Sequence, residues 1–490
     1  MKVIPLTMLN HIASPGLLMV LLVSMSAVSS ASATDLIEVW RAAQLHDLDY
    51  NAAISEHKAG LAKQAEANSL WRPSVQLTGT AGKMSSNTEA QGAQFSAPGL
   101  GSNTGVAFNT SVSNGNLERW AVSAKQPLIN RDRLAQSRQL DMNVAAADLE
   151  WQVARQSLIL RSAERYFDVV MAQESLQVLR RQAESIKQSL GEINARFQLG
   201  DVPITDTHEA TARMETVAAG LIAAESDVQL KLAALADATG MPAEKLTVMK
   251  PTGELPAAGQ NLDEWLSEVS QNNPQLRMSQ TRVEIAREES ARYAALASPT
   301  LDLVGELSHD HLSGSGDFGA AGNTGRNALL GVQLTIPLYT GGYRNARQNE
   351  SLALAEKSMN EYDRTRQQLA LQTRSVWLGL TSASSRIVAL AASLKSSEAR
   401  LAATRLGNKV GDRTTLDVLN AENDAANARL SWMQARIAQA MDRLRLDALA
   451  GKLEEDQLQL INGLLQPDNS DSGVDNQPSP AGLKNQAGSR

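Results

Sequence analysis

The chain contains 0 cysteines. That excludes disulfides, thiolate metal sites and cysteine nucleophiles. It also excludes the lipidated N-terminal cysteine that tethers an exported lipoprotein. Aromatic residues make up 4% of the sequence against 43% hydrophobic residues, a balance that suits long alanine-rich helices better than a large globular core. A basic excess is missing too. The net charge of -7 and pI ≈ 5.6 leave no basic face for a nucleic-acid partner. Beyond the N-terminus no run approaches ~18 uninterrupted apolar residues, so no transmembrane helix is expected in the mature chain.

Catalytic groupings are absent as well. The histidines (His11, His46, His57, His208, His309, His311) show no helix-spaced zinc motif. His309-Asp310-His311 is expected at a strand end entering a solvated loop. Gly314-Ser315-Gly316-Asp317-Phe318-Gly319 satisfies G-x-G-x-x-G but opens no helix, so the dinucleotide reading fails its context. No nucleophile, base and orienting group belong together. Neither an enzyme nor a cofactor nor a metal is expected.

What is present starts with a secretory signal over 1–33. Lys2 supplies a weak positive charge, Gly16 to Val23 is a short apolar core, and Ala31-Ser32-Ala33 is a small-residue cleavage site. The mature chain then begins near Thr34 or Asp35. It repeats itself. Leu199-Gly200-Asp201 returns as Val410-Gly411-Asp412, Pro73-Ser74-Val75 as Pro299-Thr300-Leu301, Asp35-Leu36 as Asn261-Leu262, and Pro127-Leu128 as Pro337-Leu338. So long a period is one architecture used twice rather than a solenoid of small units. The expected division is a first repeat over 34–240, an equatorial linker over 241–261, a second repeat over 262–450, an equatorial segment over 451–465 and a disordered polar tail over 466–490.

Each repeat carries a heptad-like stripe. Ala172, Leu176, Leu179, Ala183, Ile186, Leu190, Ile193 and Phe197 fall at steps of four and three, and Ala383, Ile387, Leu390, Leu394 and Leu401 match them in the second copy. Beyond the first glycine turn the stripe resumes with Ala210, Met214, Val217, Leu221, Ala224 and Val228. Such a stripe predicts helices packed side by side, as a coiled-coil seam or an ordinary bundle core. From Leu128 to Leu199 no proline intervenes, so one continuous helix there reaches on the order of 100 Å.

Four segments alternate with period two: Val75, Leu77, Gly79, Ala81; Trp120, Val122, Ala124; Leu301, Leu303, Gly305, Leu307; and Ala328, Leu330, Val332, Leu334, Ile336. Each is about 9–11 residues, the length that crosses a bilayer at a tilt. Residues 83–115 and 309–326, rich in Gly, Ser, Asn and Ala, are expected to be loops, with an extra strand turn at Asn114-Gly115 left open. Trp71, Tyr293, Tyr339 and Tyr343 lie where strands meet helices, fitting either an interfacial girdle or plain packing at a junction. An open sheet edge in hydrocarbon leaves backbone groups unpaired. Four strands cannot close a barrel, so the chain must associate, as a dimer or a trimer. A soluble periplasmic helical stalk is the alternative from another class.

The order strand-strand-long helix-glycine turn-helix, used twice, resembles the TolC-like outer-membrane efflux proteins over roughly Asp35 to Leu465. The resemblance rests on Ala195-Arg196-Phe197-Gln198-Leu199-Gly200 with Ile204-Thr205-Asp206, on Val410-Gly411-Asp412-Arg413 with Asp417-Val418-Leu419, and on Pro337-Leu338-Tyr339-Thr340-Gly341-Gly342. Arg161 to Asp168, with Tyr166-Phe167-Asp168, looks like the type I secretion branch. The resemblance implies an α+β membrane protein: a homotrimer whose 12-stranded transmembrane β-barrel in the outer membrane of a Gram-negative bacterium continues as a periplasmic α-helical barrel. It further implies a passive exit duct for a secreted protein or small-molecule substrate, serving an inner-membrane ABC transporter through a periplasmic adaptor. The outer-membrane part of a multidrug efflux pump is the alternative within the same class.

Site residues follow from the same resemblance. Leu199, Gly200, Val410 and Gly411 mark helix tips that dock the adaptor, although Asp201 and Asp412 stand where a hydrophobic residue usually follows the glycine. Asp206 and Asp417 correspond to aspartates lining the periplasmic constriction, and Arg413 to an arginine that holds the tunnel shut near Thr205 and Asp206. Asn408 and Asn420 replace a locking tyrosine and a second acidic residue. Read without the resemblance, Gly200 and Gly411 are helix caps, and Asp206 and Asp417 are first-turn aspartates.

Overall fold

Side-chain caps place the two copies of the architecture in register. In the computed structural model, which describes residues 34–99, 101–256, 259–317 and 319–466, Asp35 accepts the Glu38 N–H and Glu38 returns the bond in a capping box that opens α1 (Leu36–His46). Asn261 and Glu264 build the same box for α5 (Leu262–Asn272). Asp47 caps α2 (Leu48–Ser69) and its counterpart Asn273 caps α6 (Pro274–Ala295). The repeat seen in the letters is therefore a repeat of hydrogen bonds. The expected signal segment and nearly all of the expected tail lie outside the described residues. Gln466 is an exception to the tail: Leu465–Gln466 forms a short strand, β6, that pairs with β3 (Lys250–Pro251).

Four long strands form one antiparallel sheet in the order β1-β2-β4-β5, with β1 Ser74–Ala97, β2 Gly101–Ile129, β4 Thr300–Gly316 and β5 Gly319–Thr335. Register fixes the faces. Leu77 lies opposite Val122, Val122 opposite Leu307 and Leu307 opposite Ala328, while Val75, Ala124, Gly305 and Leu330 form the adjacent row. All four alternating sets thus share one apolar face, because successive side chains point to opposite sides of a strand. The other face carries the Lys125–Asp302 pair at 2.9 Å, the Arg119–Asp310 pair and Glu306.

The expected loops need correcting. Residues 83–97, 101–115, 309–316 and 319–326 continue the ladders, and His309, Asp310 and His311 sit inside β4 rather than in a loop. Composition misled here because a strand pair beyond the apolar band needs only its backbone ladder, and solvated side chains carry no alternation. Asn114-Gly115 is a bulge, not a turn: Met84 pairs with Gly115 and Ser86 with Val112, while Asn114 takes φ 49°. A left-handed Asn is tolerated because its short polar chain bonds locally.

Two helix pairs leave the sheet: α3 (Arg131–Gln198) with α4 (Ile204–Thr239), and α7 (Tyr343–Lys409) with α8 (Thr415–Leu449). The heptad stripe is their seam. Ala172, Leu176, Ile186, Ile193, Ala210, Val228 and Ala383 are buried and the rest partly so, with Phe197 exposed near the tip. By length and composition α7 could cross a membrane, yet only 11% of its apolar window is buried. At 67 residues it is about 100 Å long, far beyond a bilayer. That window is a surface awaiting neighbouring helices.

The main core lies at mid-height, where α1, α3, α4, α8 and α9 (Glu455–Asn462) meet around Trp40, Tyr166, Phe167, Leu235, Leu444 and Leu458. The Arg161 to Asp168 motif resolves into packing: Arg161 pairs with Asp47 at 2.8 Å, Tyr166 and Phe167 are buried, and Asp168 pairs with Lys231 at 2.8 Å. The Met249 N–H donates to the Tyr166 hydroxyl at 2.7 Å, and that hydroxyl can donate to the Thr34 carbonyl at 3.2 Å. Burial pushes the Tyr166 phenol well above its usual range. Tyr166→Phe should cost about 1–3 kcal/mol by stranding the Met249 N–H; a denaturant midpoint unchanged from wild type would refute this. Of the junction aromatics, Tyr293 is buried beneath Arg347, whereas Tyr339 and Tyr343 are exposed.

Candidate functional site

The far ends of the helix pairs are built alike. At the first tip the Gly200 N–H donates to the Phe197 carbonyl at 3.0 Å and the Asp201 N–H to Arg196 at 2.9 Å. At the second, Gly411 donates to Asn408 at 3.1 Å and Asp412 to Gly407 at 2.9 Å. Both are Schellman turns, and the glycines hold φ 79° and 84°, where a side chain would be strained. Each turn pushes one apolar residue outward, leaving Leu199 78% and Val410 75% exposed.

The helices that return from the tips differ. Thr414 caps α8: its hydroxyl accepts the Asp417 N–H at 3.2 Å, and Asp417 accepts the Thr414 N–H at 2.9 Å and its hydroxyl at 2.9 Å. The Thr414 N–H, then its hydroxyl, hold the Asp417 carboxyl below the usual range, with a smaller pull from Arg413. Pro203 precedes α4 and has no side chain to cap it. Asp206 therefore keeps an exposed carboxylate whose one hydrogen bond among the described residues is from the Thr205 hydroxyl at 3.3 Å. The two aspartates look equivalent in sequence, but Asp417 is committed to its own helix and Asp206 is not.

A cleft of about 130 Å³ joins the tips, lined by Asp206, Glu209, Thr414, Thr415, Leu416 and Leu419 among others. The structure thus brings Asp206 beside the start of α8. It does not join Arg413 to Thr205 or Asp206 within one protomer. The Arg413 guanidinium is exposed and makes no hydrogen bond or ion pair among the described residues. Asn408 is buried and donates to the Arg413 carbonyl at 2.9 Å, so it shapes the turn that presents Arg413. Asn420 accepts from Arg213 of α4 at 3.0 Å, linking the two pairs just above the tips.

Sequence reasoning missed a second link. Glu422 of α8, buried, accepts from Arg405 of α7 at 2.8 Å and from Ser185 of α3, so one carboxylate ties three helices. Its signal was a charge on an apolar stripe, between Leu419 and Ala425. Deeper, Glu174 of α3 is fully buried and accepts from Lys250 of β3 and Arg429 of α8, each at 2.5 Å. No metal-holding group of His, Cys, Asp or Glu occurs among the described residues.

The outer membrane efflux protein family profile matches residues 39–241 and 265–452, spanning both tips and all four long strands. The chain belongs to the outer membrane efflux protein family. It is 27% identical over 454 residues to the outer membrane protein TolC of Escherichia coli, covering 91% of this chain and 88% of that protein. It is 25% identical over 451 residues to the proteases secretion protein PrtF of Dickeya chrysanthemi, covering 91% and 94%. The solved CmeC outer membrane channel of Campylobacter jejuni superposes with a TM-score of 0.67 at 17% identity, covering 88% of this chain and 89% of that one. Members of this family are passive channels, so the chain is an outer-membrane efflux channel with a large periplasmic part and not an enzyme. The soluble stalk is set aside on that membership. The apolar sheet face is the lipid face of an outer-membrane barrel, and the polar face with Lys125, Asp302 and Glu306 is its lumen.

Proposed function

We propose that the channel is the exit duct of a type I protein secretion system. It works as a homotrimer that accepts cargo from an inner-membrane ABC transporter through a periplasmic adaptor. The observation that supports the secretion reading best is the match to PrtF, named for protease secretion, along nearly the whole of both chains. Trimerisation has a physical motive: β1 and β5 are open edges, and three four-stranded sheets close one twelve-stranded barrel without an unpaired edge. The exposed apolar residues of the long helices, Ile222 and Leu230 on α4 and Leu378 and Val388 on α7, gain neighbours in the same step.

Leu199, Gly200, Val410 and Gly411 are the adaptor's contact points in this reading. Thr205, Asp206, Arg413 and Asp417 form the closed ring, with Arg413 reaching the Thr205–Asp206 end of the adjacent protomer. The adaptor opens the ring by binding the splayed tips better than the closed ones. Deleting the gene should abolish export of a type I substrate into the medium and leave drug sensitivity near wild type. Lost drug resistance with intact protein export would instead make it the exit of a multidrug pump.

A further inference from the structure

At its external end the lipid face stops being apolar, and it does so in one row. Trp120 pairs with His309 and His309 with Arg326, so all three point the same way. The Trp120 and His309 rings lie 5.7 Å apart, tilted by 36°. Leu307 and Ala328 stand directly below them, and a cavity of about 540 Å³ is lined by Trp120, Leu307, His309, Arg326 and Ala328 among others. Arg326 has no carboxylate partner among the described residues. On the lumen face Arg119 is already paired with Asp310.

The height of this row fits a membrane boundary. From Ile336 to Arg326 the extended chain rises about 33 Å, which a strand tilt of 35–45° reduces to about 25 Å, the height of a barrel's apolar band. The helices leave from the opposite end, so the row faces the external leaflet. One step further out the same face carries Glu118, His311 and Thr324, and then Lys83 and Asn116. The adjacent protomer's β1 adds no carboxylate at this level, because its lipid-facing residues are Val75, Leu77, Gly79, Ala81 and Lys83.

We propose that Trp120, His309 and Arg326 bind the headgroup of a phosphate-bearing glycolipid of the external leaflet. An unpaired guanidinium recognises a phosphate in bidentate fashion. The Trp120–His309 platform gives a sugar ring a flat face, and the apolar rows below receive the acyl chains. The three features together fit an amphiphile, which a bare phosphate ion is not. This site does not depend on the cargo, so it stands whichever substrate the duct carries.

The test uses the detergent-solubilised full-length oligomer, incubated with lipid A, with enzymatically dephosphorylated lipid A or with phosphatidylcholine, and reads lipid retained after gel filtration. Wild type should keep lipid A selectively, R326Q should bind it about ten-fold more weakly or worse, and R326K should fall between. Migration as an intact oligomer before heating separates a lost site from a lost fold. Equal retention by R326Q, equal retention of the dephosphorylated lipid, or displacement by millimolar inorganic phosphate would each overturn the proposal.

Discussion

Glu174→Ala should be strongly destabilising, costing on the order of 3–5 kcal/mol. The residue is fully buried, and its two carboxylate oxygens are divided between Lys250 and Arg429 at 2.5 Å each. Removing it leaves Lys250, buried and still hydrogen-bonded to Gln177 at 3.0 Å, and Arg429 as two like charges close together with no carboxylate between them. The consequence is mechanical as well as thermodynamic, since the same carboxylate pins α8 to α3 and both to the strand β3 at mid-height. Burial alone would push its pKa up. The hydrogen bonds from Lys250 and Arg429 outweigh that and hold it below the usual glutamate range. A lowered carboxyl contributes stability that is complete above its unfolded value of about 4.3 and lost as pH falls through the folded value. Wild type should therefore weaken below about pH 4, and Glu174→Ala should lose that part of the acid dependence. Chemical denaturation of the detergent-solubilised oligomer across pH measures both. A midpoint within error of wild type at neutral pH would remove the triad from the stability account.

Much of this fold is legible from the letters because its elements obey simple periods. The stripes from Ala172 to Phe197 and from Ala210 to Val228 gave the seam, and the period-two sets from Val75 and Trp120 gave the lipid face in the right parity. What stayed hidden lacks a period. Strand extensions through Asn87 and Thr110 are held by backbone bonds that any polar residue permits. Glu174, Lys250 and Arg429 come together from α3, β3 and α8, and no local spacing announces three partners so far apart in sequence. The inequality of Asp206 and Asp417 hangs on a single difference, Pro203 against Thr414 at the cap, which matters only once the side chains are placed. The repeat fixed which positions correspond, and the local chemistry decided which of each pair is free to act.

That freedom sets the expectation for Arg413→Ser, which should raise single-channel conductance in planar bilayers several-fold. Arg413 is exposed at the turn shaped by Asn408, without a partner among the described residues of its own chain. Its partner in the proposed closed ring is Asp206 of the adjacent protomer. A charge-assisted hydrogen bond contributes about 1.5–3 kcal/mol, and three-fold symmetry multiplies it. The total of roughly 4.5–9 kcal/mol spans the ~5.5 kcal/mol that moves an equilibrium from mostly closed to mostly open. Asp206→Asn should reproduce the increase, and the double variant should add little to either, as expected of two halves of one contact. Asp417→Asn should behave differently, loosening the Thr414 cap and lowering stability before it touches conductance, because its carboxylate is already taken. Arg405, which ties α7 to Glu422 and Ser185 above the tips, still limits how far the pairs part, so Arg413→Ser stops short of the fully open state. Unchanged conductance in Arg413→Ser, with the oligomer intact, would place the closing contact elsewhere and leave the Glu422 link as the next one to cut.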